Sequence, residues 1–273
     1  MPFIDAVDGT QIFYVDGGSG KPVVFVSSAW LSSRMWELQM TPLVDQGLRC
    51  VAYDRRGHGR SDWPWDGYDY DTLADDLATL LERLDLRDVT LVGYSAGCGE
   101  IVRYLTRHGA GRVARVALIA GTTPFLMQTD DNPDGVPRAL MQADLERRTA
   151  DPPRWFAEQA GGFFGLGLPG VAVSPERAQF TIQQCLDCSA RATSAFFLTA
   201  FTTDLRPELR ALTVPTLVIH GDRDVQAPLE ICGRKTAHLV AGSTLNVYEN
   251  AAHGLFITHA ERLNADLLAF ARS

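Results

Sequence analysis

Residues 89–97 read V-T-L-V-G-Y-S-A-G, and this stretch decides how the rest of the chain is interpreted. Its apolar and β-branched start is typical of a strand that is buried on both faces. A serine then stands between two glycines in the pattern G-x-S-x-G, and a helical pattern follows over 97–108. A sharp turn from strand to helix would strain the backbone of Ser95, and side chains two residues before and after it would collide, so both positions favour glycine. The stretch therefore predicts a serine that points away from the sheet at the start of a helix.

Further apolar runs along the chain resemble the start of this stretch, and helical patterns separate them. The sequence predicts buried strands at 22–26, 49–54, 89–94, 113–120, 215–220 and 243–249, and helices at 36–46, 71–84, 97–108, 228–240 and 258–271. The turn Asp8-Gly9-Thr10 predicts a hairpin of strands near 2–6 and 10–15. Strands that alternate with helices indicate an α/β fold, with a mostly parallel central sheet flanked by helices and joined by right-handed crossovers.

The alternation is interrupted once, between about residues 122 and 208. No run in this stretch has the pattern of a buried strand, whereas polar, helical and loop-like segments follow one another with many aromatic side chains among them. We therefore predict a helical cap, inserted at 122–208 into an α/β core formed by 1–121 and 209–273. Ligands of open α/β sheets bind beyond the carboxyl ends of the strands, where such a cap would lie.

The composition limits the classes of function that fit. The chain has 273 residues, of which 46% are hydrophobic, enough for one α/β domain of ordinary size. Its formal net charge of −8 would repel phosphate backbones and anionic lipids, so we expect neither nucleic-acid nor membrane partners. No apolar run could span a bilayer, and residues 1–8 lack the basic and apolar regions of a secretory signal. The 5 cysteines form no disulfide framework, which favours a reducing, cytoplasmic compartment.

Ser95 needs partners, because a serine hydroxyl is a weak nucleophile near neutral pH. A histidine must take its proton, and an acid must orient that histidine. In a sheet of this kind the three groups follow in the order serine, acid, histidine along the chain. Two acids follow the predicted strand 215–220: Asp222 falls in the turn itself, whereas Asp224 lies further into the loop and is better placed to reach an imidazole. We therefore predict Asp224 as the acid.

Three histidines come after this acid. His238 lies in a helical pattern and His259 begins the last predicted helix, whereas His253 stands in a loop after the last predicted strand. A loop at the carboxyl edge of the sheet is where a base would meet the serine, so we predict His253 as the base. The amide of Ala96, at the start of a helix, would face negative charge that develops beside the serine.

With these residues in place, the chain resembles the α/β-hydrolase fold and, within it, the bacterial arylesterases and cofactor-free haloperoxidases (perhydrolases). The motifs that carry the resemblance are M-W-E at 35–37, D-R-R-G-H-G-R-S-D at 54–62, Y-D-Y-D-T at 68–72, the segments 93–97 and 220–228, A-H-G-L-F at 252–256, and the tail 263–270. We interpret the second of these as a structural turn held by its own arginines and aspartates. In that family the positions that match Ser95, Asp224 and His253 are the catalytic triad. The resemblance also implies that the backbone N–H of Ala29 joins that of Ala96 in an oxyanion hole, and it implies no metal or organic cofactor.

One stretch departs from the family pattern. Members usually carry His-Gly before the oxyanion donor, and here Ser27 and Ser28 occupy those positions. Glycine permits backbone dihedrals that Ser28 does not freely adopt, so we expect a reshaped loop in which either hydroxyl could add a donor or compete with the backbone for hydrogen bonds. Candidate contacts to the oxyanion or the substrate are therefore Ser27, Ser28, Trp30 and Tyr94.

Together these features predict a serine hydrolase of the carboxylesterase or arylesterase type, which cleaves a small ester, either an aryl ester or a lactone, through an acyl-enzyme. The aromatic residues of the predicted cap favour an apolar acyl or aryl substrate, and Phe125, Phe163 and Phe201 are candidates for the pocket lining. The altered loop keeps two alternatives open: hydrolysis of another bond, such as a lactam or a carbon–carbon bond, and a receptor that binds a small ligand without turnover. A homo-oligomer fits the sequence as well as a monomer does.

Overall fold

The computed structural model of the chain describes residues 2–273, and an eight-stranded sheet runs through its centre. The strands are β1 (Phe3–Asp5), β2 (Gln11–Gly17), β3 (Pro22–Val26), β4 (Arg49–Tyr53), β5 (Val89–Tyr94), β6 (Val113–Ile119), β7 (Thr216–Gly221) and β8 (Thr244–Tyr248). Their spatial order is β1-β2-β4-β3-β5-β6-β7-β8. The pairs β1–β2 and β2–β4 are antiparallel, and the other neighbouring pairs are parallel. The mostly parallel sheet predicted from the sequence is thus confirmed.

Helices cover both faces of this sheet. They are a short 3₁₀ helix (Ser33–Trp36) and the α-helices α1 (Glu37–Asp45), α2 (Tyr70–Arg83), α3 (Gly97–His108), α4 (Arg138–Ala150), α5 (Pro152–Phe164), α6 (Pro175–Leu186), α7 (Ala190–Thr202), α8 (Arg206–Arg210), α9 (Gly233–Leu239), α10 (Leu255–Thr258) and α11 (Ala260–Arg272). Helices α2 and α3 pack on one face, and α1 and α11 pack on the other. None of the helices formed by residues 2–273 is both long and apolar enough to cross a membrane.

The central strands have apolar side chains on both faces because helices cover both faces. In β3, Val24 and Val26 belong to the same buried cluster as the side chains of α2 and α3, whereas Val23 and Phe25 belong to the cluster that includes α1 and α11. All four are buried, and burying each contributes about 1.5–3 kcal/mol relative to leaving it exposed. This two-sided burial explains why the strands stand in the sequence as uninterrupted apolar runs.

Two predicted helices differ from those observed. The helix expected at 228–240 begins only at Gly233, because the backbone of Cys232 before it is not helical (φ −112°, ψ −83°). The helix expected at 258–271 corresponds to α11, which begins at Ala260; the short α10 precedes it, and the backbone of His259 (φ −125°, ψ 31°) separates the two.

Between β6 and β7 the chain leaves the sheet and forms α4 to α8. In the described chain no strand of the sheet lies between Ile119 and Thr216, in agreement with the interruption seen in the sequence. The boundaries 122–208, and the description of this segment as a cap, stay predictions.

The turn between α6 and α7 is bonded to the loop that follows β4. The backbone N–H of Ser189 donates to the carbonyl oxygen of Gly57 at 2.8 Å. In return, the N–H of Gly59 donates to the carbonyl oxygen of Asp187 at 3.0 Å. This part of the inserted segment is therefore fixed to the body of the sheet.

Helix α2 also holds the loop after β4. Its N-cap residue, Asp69, accepts from the backbone N–H of Thr72 at 2.9 Å and from the Thr72 hydroxyl at 3.0 Å. Two turns further on, Asp76 forms a two-point ion pair with Arg56, with N–O distances of 2.6 and 2.7 Å, and both side chains are buried. Since Arg56 belongs to the loop after β4, the positions of the helix and the loop are linked.

We expect Asp69→Ala to lower the free energy of unfolding by about 1 kcal/mol, because alanine cannot accept the free N–H at the start of α2. Asp69→Asn keeps an acceptor and should stay within about 0.3 kcal/mol of the wild type. Urea denaturation followed by circular dichroism measures both values. Equal stability of the alanine variant and the wild type would contradict a stabilising cap.

Candidate active site

Ser95 occupies the turn between β5 and α3, where its backbone has a φ of +54°. This is the left-handed region, which residues other than glycine rarely adopt, and such strain costs on the order of 1–3 kcal/mol. A Cβ at Gly93 would lie 3.0 Å from the Cα of Cys98. A Cβ at Gly97 would lie 2.5 Å from the carbonyl oxygen of Ser27. The collision predicted from the sequence is therefore with α3, including Cδ1 of Ile101 at 2.9 Å from the Gly93 position, and with the backbone of the loop after β3, rather than between side chains of the turn.

Ser95, His253 and Asp224 form a continuous chain of hydrogen bonds. The Oγ of Ser95 lies 3.0 Å from Nε2 of His253, and Nδ1 of His253 lies 2.7 Å from Oδ2 of Asp224. The other oxygen of Asp224 accepts from the backbone N–H groups of Gln226 at 2.9 Å and Ala227 at 2.8 Å. The three side chains are buried, and they follow β5, β8 and β7, whose carboxyl ends lie along the same edge of the sheet.

The charge of Asp224 is stabilised locally. Burial alone disfavours the carboxylate, but His253 and the N–H of Ala227 outweigh this effect and lower the pKa of the Asp224 carboxyl. A second imidazole, His220, places Nε2 at 3.6 Å from the same Oδ2 and at 2.6 Å from the carbonyl oxygen of Ala227. Burial lowers the pKa of His220, so this ring is neutral near pH 7 and we assign its proton to the bond with Ala227.

The alternative partners considered from the sequence lie elsewhere. Asp222 is exposed in the turn after β7, and His238 is exposed on α9. Nδ1 of His259 contacts the hydroxyl of Thr258 at 2.9 Å. In the part of the chain that the structure describes, none of these three side chains is hydrogen-bonded to the serine, histidine and acid above.

Two aromatic side chains flank the imidazole of His253. The hydroxyl of Tyr94 donates to the carbonyl oxygen of His253, and the two rings meet edge to face with centroids 5.8 Å apart. The ring of Phe163 lies 5.7 Å from the imidazole. Tyr94 is completely buried and is not among the residues that line the cavity, so the structure places it behind the histidine rather than beside a substrate.

The two predicted oxyanion donors border the same cavity as the Ser95 hydroxyl. Ala96 follows the serine, and Ala29 lies in the loop after β3. Within residues 2–273, neither backbone N–H has a hydrogen-bond acceptor. Ser27 and Ser28, the other candidates, are buried outside the lining, and the Ser27 hydroxyl has no partner in the same range. Of the oxyanion donors considered at positions 27–29 and 96, those that border the cavity are therefore backbone N–H groups, not serine hydroxyls.

Arg55 holds the loop after β3 from the side of the core. Its Nη2 donates to the carbonyl oxygen of Ser27 at 2.9 Å, and its Nη1 donates to that of Ser28 at 3.2 Å. The carbonyl oxygen of Ala29 lies 2.6 Å from Nε2 of His58. The other ring nitrogen, Nδ1, lies 2.9 Å from the carbonyl oxygen of Arg56. Burial and the charge of Arg55 lower the pKa of His58 to about 4, so near pH 7 the ring has one N–H, which we assign to the shorter contact, with Ala29. The turn interpreted as structural thus shapes the loop beside the serine.

The cavity beside Ser95 has a volume of about 200 Å³. In addition to the residues above, its lining consists of Trp30, Thr122, Leu126, Asp144, Trp155, Gln159, Phe197, Ala200, Phe201, Val225 and Gln226. Of the predicted lining residues, Phe201 is present, Phe163 lines a smaller adjoining cavity, and Phe125 is buried in a cluster inside the inserted segment.

Sequence reasoning missed four polar residues of this lining, namely Thr122 and three that carry a carboxylate or an amide. Asp144 comes from α4, Gln159 from α5 and Gln226 from the loop after β7. The first two lie on helices whose placement depends on tertiary packing, so no spacing in the sequence marks them. Gln226 stands two residues after the predicted acid, a signal that could have identified it. The cavity is therefore less apolar than the aromatic residues of the segment suggested.

In the described chain, no three or more histidine, cysteine or carboxylate side chains are grouped so as to bind a metal ion. The pair Cys185 and Cys188 has the spacing C-x-x-C, but Cys188 lies beyond the end of α6, with its Sγ 3.4 Å from the carbonyl oxygen of Trp30. Burial raises the pKa of both thiols, to about 12 for Cys188. Both are therefore protonated near pH 7 and pack as weakly polar side chains.

Comparison with known proteins relates almost the whole chain to one family. Residues 21–260 match the family described as alpha/beta hydrolase fold. The chain is 41% identical to the non-heme chloroperoxidase CPO-A1 of Kitasatospora aureofaciens, over 99% of each chain. It is 38% identical to the bifunctional esterase/perhydrolase DCH of Acinetobacter calcoaceticus, over 100% of each chain. Among solved structures it is similar to the esterase EaEST from Exiguobacterium antarcticum, with a TM-score of 0.94, 33% identity and 99% of each chain covered.

The buried, neutral His58 should make stability depend on pH. In the unfolded chain its pKa is about 6.5, so below that pH the unfolded state binds a proton that the folded state excludes down to a pH of about 4. Stability from this group is therefore lost as the pH falls through that window. We expect the difference in unfolding free energy between wild type and His58→Gln to shrink by about 1.4 kcal/mol from about pH 7.5 to about pH 5.5.

Urea denaturation at the two pH values measures this difference. His238→Gln, at an exposed position of α9, is the control and should show no such change. If the unfolding free energy of the wild type exceeds that of His58→Gln by the same amount at both pH values, this result would contradict a neutral His58 in the folded protein.

Proposed function

The chain belongs to the α/β-hydrolase fold family, and from the geometry of its site we propose that it is a serine hydrolase that acts on small esters. The observation that carries the proposal is the hydrogen-bonded chain from Ser95 through His253 to Asp224, which meets a cavity also bordered by Ala29 and Ala96. A nucleophile, a base, an orienting acid and two N–H donors are the parts that acyl transfer needs. Aryl esters and lactones are the substrate classes that we expect.

In the proposed reaction, the Ser95 oxygen attacks the carbonyl carbon of the ester while Nε2 of His253 takes its proton. The carbonyl oxygen becomes an oxyanion, which the N–H groups of Ala29 and Ala96 stabilise. When the tetrahedral intermediate collapses, the bond to the alcohol oxygen breaks and the imidazolium returns the proton to the departing alkoxide. Water then attacks the acyl-enzyme with the help of the same base, which releases the carboxylic acid and restores the serine.

Asp224 supports both steps. Its lowered pKa keeps the carboxylate ionised near pH 7, and the N–H groups of Gln226 and Ala227 fix the oxygen that does not contact His253. The other oxygen can then hold Nδ1–H and stabilise the imidazolium that forms. Each oxyanion donor in such sites is worth on the order of 10²–10³ in rate. Since both donors here are backbone groups, the shape of the loop after β3 controls this part of the rate.

The comparisons favour a second candidate activity, perhydrolysis. The relatives named as a chloroperoxidase and as an esterase/perhydrolase align with this chain from end to end. If hydrogen peroxide replaces water in the second step, its oxygen attacks the acyl-enzyme, the bond to the serine breaks, and a peracid leaves. Trp30, a bulky residue directly after the Ala29 donor, gives no reason to expect a strong reaction of this kind. We therefore place ester hydrolysis first.

With p-nitrophenyl acetate, we expect the wild type to release nitrophenolate catalytically and Ser95→Ala to lose at least about 10³-fold in kcat/KM. Ser19→Ala, at an exposed position before β3, is the matched control and should be unaffected. Mass spectrometry of the intact protein during turnover should show one added acetyl group on the wild type and none on Ser95→Ala.

Turnover that survives in Ser95→Ala would rule this serine out as the nucleophile. Failure of the wild type to turn over aryl esters and lactones would overturn the esterase proposal and favour the alternatives, which are cleavage of a lactam or carbon–carbon bond and binding without turnover. The rate of peracid formation in the presence of hydrogen peroxide should also be compared with the rate of acid formation in water. Equal rates would make perhydrolysis the principal activity.

A further inference from the structure

Part of the wall of the cavity beside Ser95 is polar. Asp144, Gln159 and Gln226 form this part, which we call the polar wall. Asp144 is the one carboxylate among the described residues that line the cavity. An ester substrate that fills the cavity would therefore place some of its atoms against a negative charge and two amides.

Asp144 is held in place but keeps one oxygen free. Its Oδ1 accepts from Nε1 of Trp155 at 2.8 Å. Trp155 is itself buried and packs edge-on against Trp30, with ring centroids 5.3 Å apart. Within residues 2–273, Oδ2 of Asp144 and the side-chain amides of Gln159 and Gln226 have no hydrogen-bond partner. These groups are available to a ligand.

Arg148, on the same helix, forms no ion pair with this carboxylate. Arg148 lies one turn after Asp144, and both of its terminal nitrogens are buried with no hydrogen-bond partner in the described chain. Its guanidinium lies 4.3 Å from the centre of the Phe197 ring and 5.0 Å from that of Trp30, outside the cavity lining. The charge of Asp144 is thus not cancelled by a direct ion pair.

We propose that the polar wall binds a hydrogen-bond-donating group of the substrate, a hydroxyl or an ammonium, at a distance from the scissile ester. This inference rests on the proposed function, because it places the ester at Ser95. A carboxylate accepts hydrogen bonds from both groups more strongly than a neutral acceptor does, and it repels a substrate carboxylate. A site built for a donor rejects analogues that lack it, because its own polar groups are then left unpaired. The substrate class is thus a small ester with a polar donor, rather than a wholly apolar ester.

Four rigid p-nitrophenyl esters test this proposal: cyclohexanecarboxylate and its trans-4-hydroxy, trans-4-ammonio and trans-4-carboxy derivatives. In the wild type we expect kcat/KM for the hydroxy and ammonio esters to exceed that of the unsubstituted ester by about tenfold or more, and that of the carboxy ester to fall below it. Asp144→Asn keeps an oxygen for Trp155 Nε1, and it should reduce the ratio of ammonio to unsubstituted ester by at least about tenfold. Glu146→Gln, exposed on the same helix, is the control and should keep the wild-type ratios.

The outcomes separate this proposal from the proposed function. Equal kcat/KM for the hydroxy, ammonio and unsubstituted esters would overturn the polar wall as a specificity element and leave ester hydrolysis standing. Calorimetric binding of the corresponding anilides to Ser95→Ala tests the same contact without turnover. Tighter binding of the ammonio anilide by Ser95→Ala, together with no turnover of any of the four esters by the wild type, would support the polar wall and overturn the proposed function.

A second inference concerns the loop after β3. In a trans peptide the carbonyl oxygen and the N–H point to opposite sides. Arg55 binds the carbonyl oxygen of Ser28 from the core, so the N–H of Ala29, in the same peptide, is directed to the other side, where the cavity beside Ser95 lies. His58 binds the next carbonyl oxygen, that of Ala29, at 2.6 Å. Two successive peptide groups of this loop are thereby held in place by Arg55 and His58.

The support behind Arg55 is also buried. Its Nε lies 2.8 Å from Oε2 of Glu100 on α3, and the other carboxylate oxygen accepts from the hydroxyl of Tyr53. A buried ion pair adds little net stability, because desolvation offsets the attraction, but the planar guanidinium imposes a fixed direction on its acceptors. We infer that Arg55 and His58 are positioning residues that orient the Ala29 N–H as an oxyanion donor. This inference also rests on the proposed function.

Arg55→Lys keeps the charge beside Glu100, but an ammonium cannot bridge two carbonyl groups in the same way. We expect kcat to fall about 10- to 100-fold while KM changes by less than about threefold, since the lost interaction belongs to the transition state. Inhibition by phenylboronic acid, which forms a tetrahedral adduct with a serine oxygen, should weaken by a similar factor. His58→Ala should show the same split between kcat and KM, and His58→Gln, which keeps an N–H donor, should restore part of the loss.

Thermal denaturation establishes that each variant is folded, and the His58 pair carries the test if Arg55→Lys does not fold. A folded Arg55→Lys or His58→Ala with wild-type kcat would overturn the inference. A loss confined to KM, with unchanged affinity for phenylboronic acid, would overturn it as well. Boronate binding needs no ester turnover, so it tests the loop even if the proposed substrates are wrong.

Discussion

The absence of a side chain at Gly97 is the constraint on which the arrangement of the site depends. It lets the start of α3 approach the loop after β3 so closely that a Cβ would lie 2.5 Å from the carbonyl oxygen of Ser27. This contact brings Ala96 and Ala29, which are distant in the sequence, to the border of one cavity. A larger residue would have to displace backbone and not merely a flexible side chain, and it would remove the surroundings that maintain the strained φ of Ser95.

The parallel sheet then brings the remaining groups to the same place, because the carboxyl ends of its strands share an edge. Groups that are costly to bury are accommodated there by partners. Asp224 is held by two N–H groups and an imidazole, and His253 is backed by the Tyr94 hydroxyl on its carbonyl oxygen. The buried Arg55 meets both a carboxylate and two carbonyl oxygens. Such networks make a modest contribution to stability and a large one to geometry.

How far the sequence predicts this arrangement depends on whether the cause is local. The strand 22–26 could be predicted because a strand that is buried on both faces must be an apolar run. The turn at Ser95 could be predicted because its tight backbone requires glycine two residues before and after the serine. The direction of the Ser27 and Ser28 carbonyl groups could not be predicted, because Arg55, which binds both, approaches them only in the folded protein. Asp144 was missed for a similar reason: it stands on a helix of mostly exposed residues, and only the packing of that helix makes it part of a cavity.

The helices of the inserted segment are attached to the rest of the molecule to different degrees. The turn between α6 and α7 is fixed by its two backbone hydrogen bonds to the loop after β4, and the end of α5 is fixed by the bond from the N–H of Gly254 to the carbonyl oxygen of Phe163 at 2.6 Å. Helix α4 is different, because of its 13 residues only Met141 and Arg148 are buried. Helix α4 is held mainly through α5, by the hydrogen bond from Nε1 of Trp155 to Asp144 and by the ion pair of Arg147 with Glu158 at 2.8 Å. Because α4 carries Asp144, a substrate group bound to this carboxylate would add one more contact between this helix and the contents of the cavity.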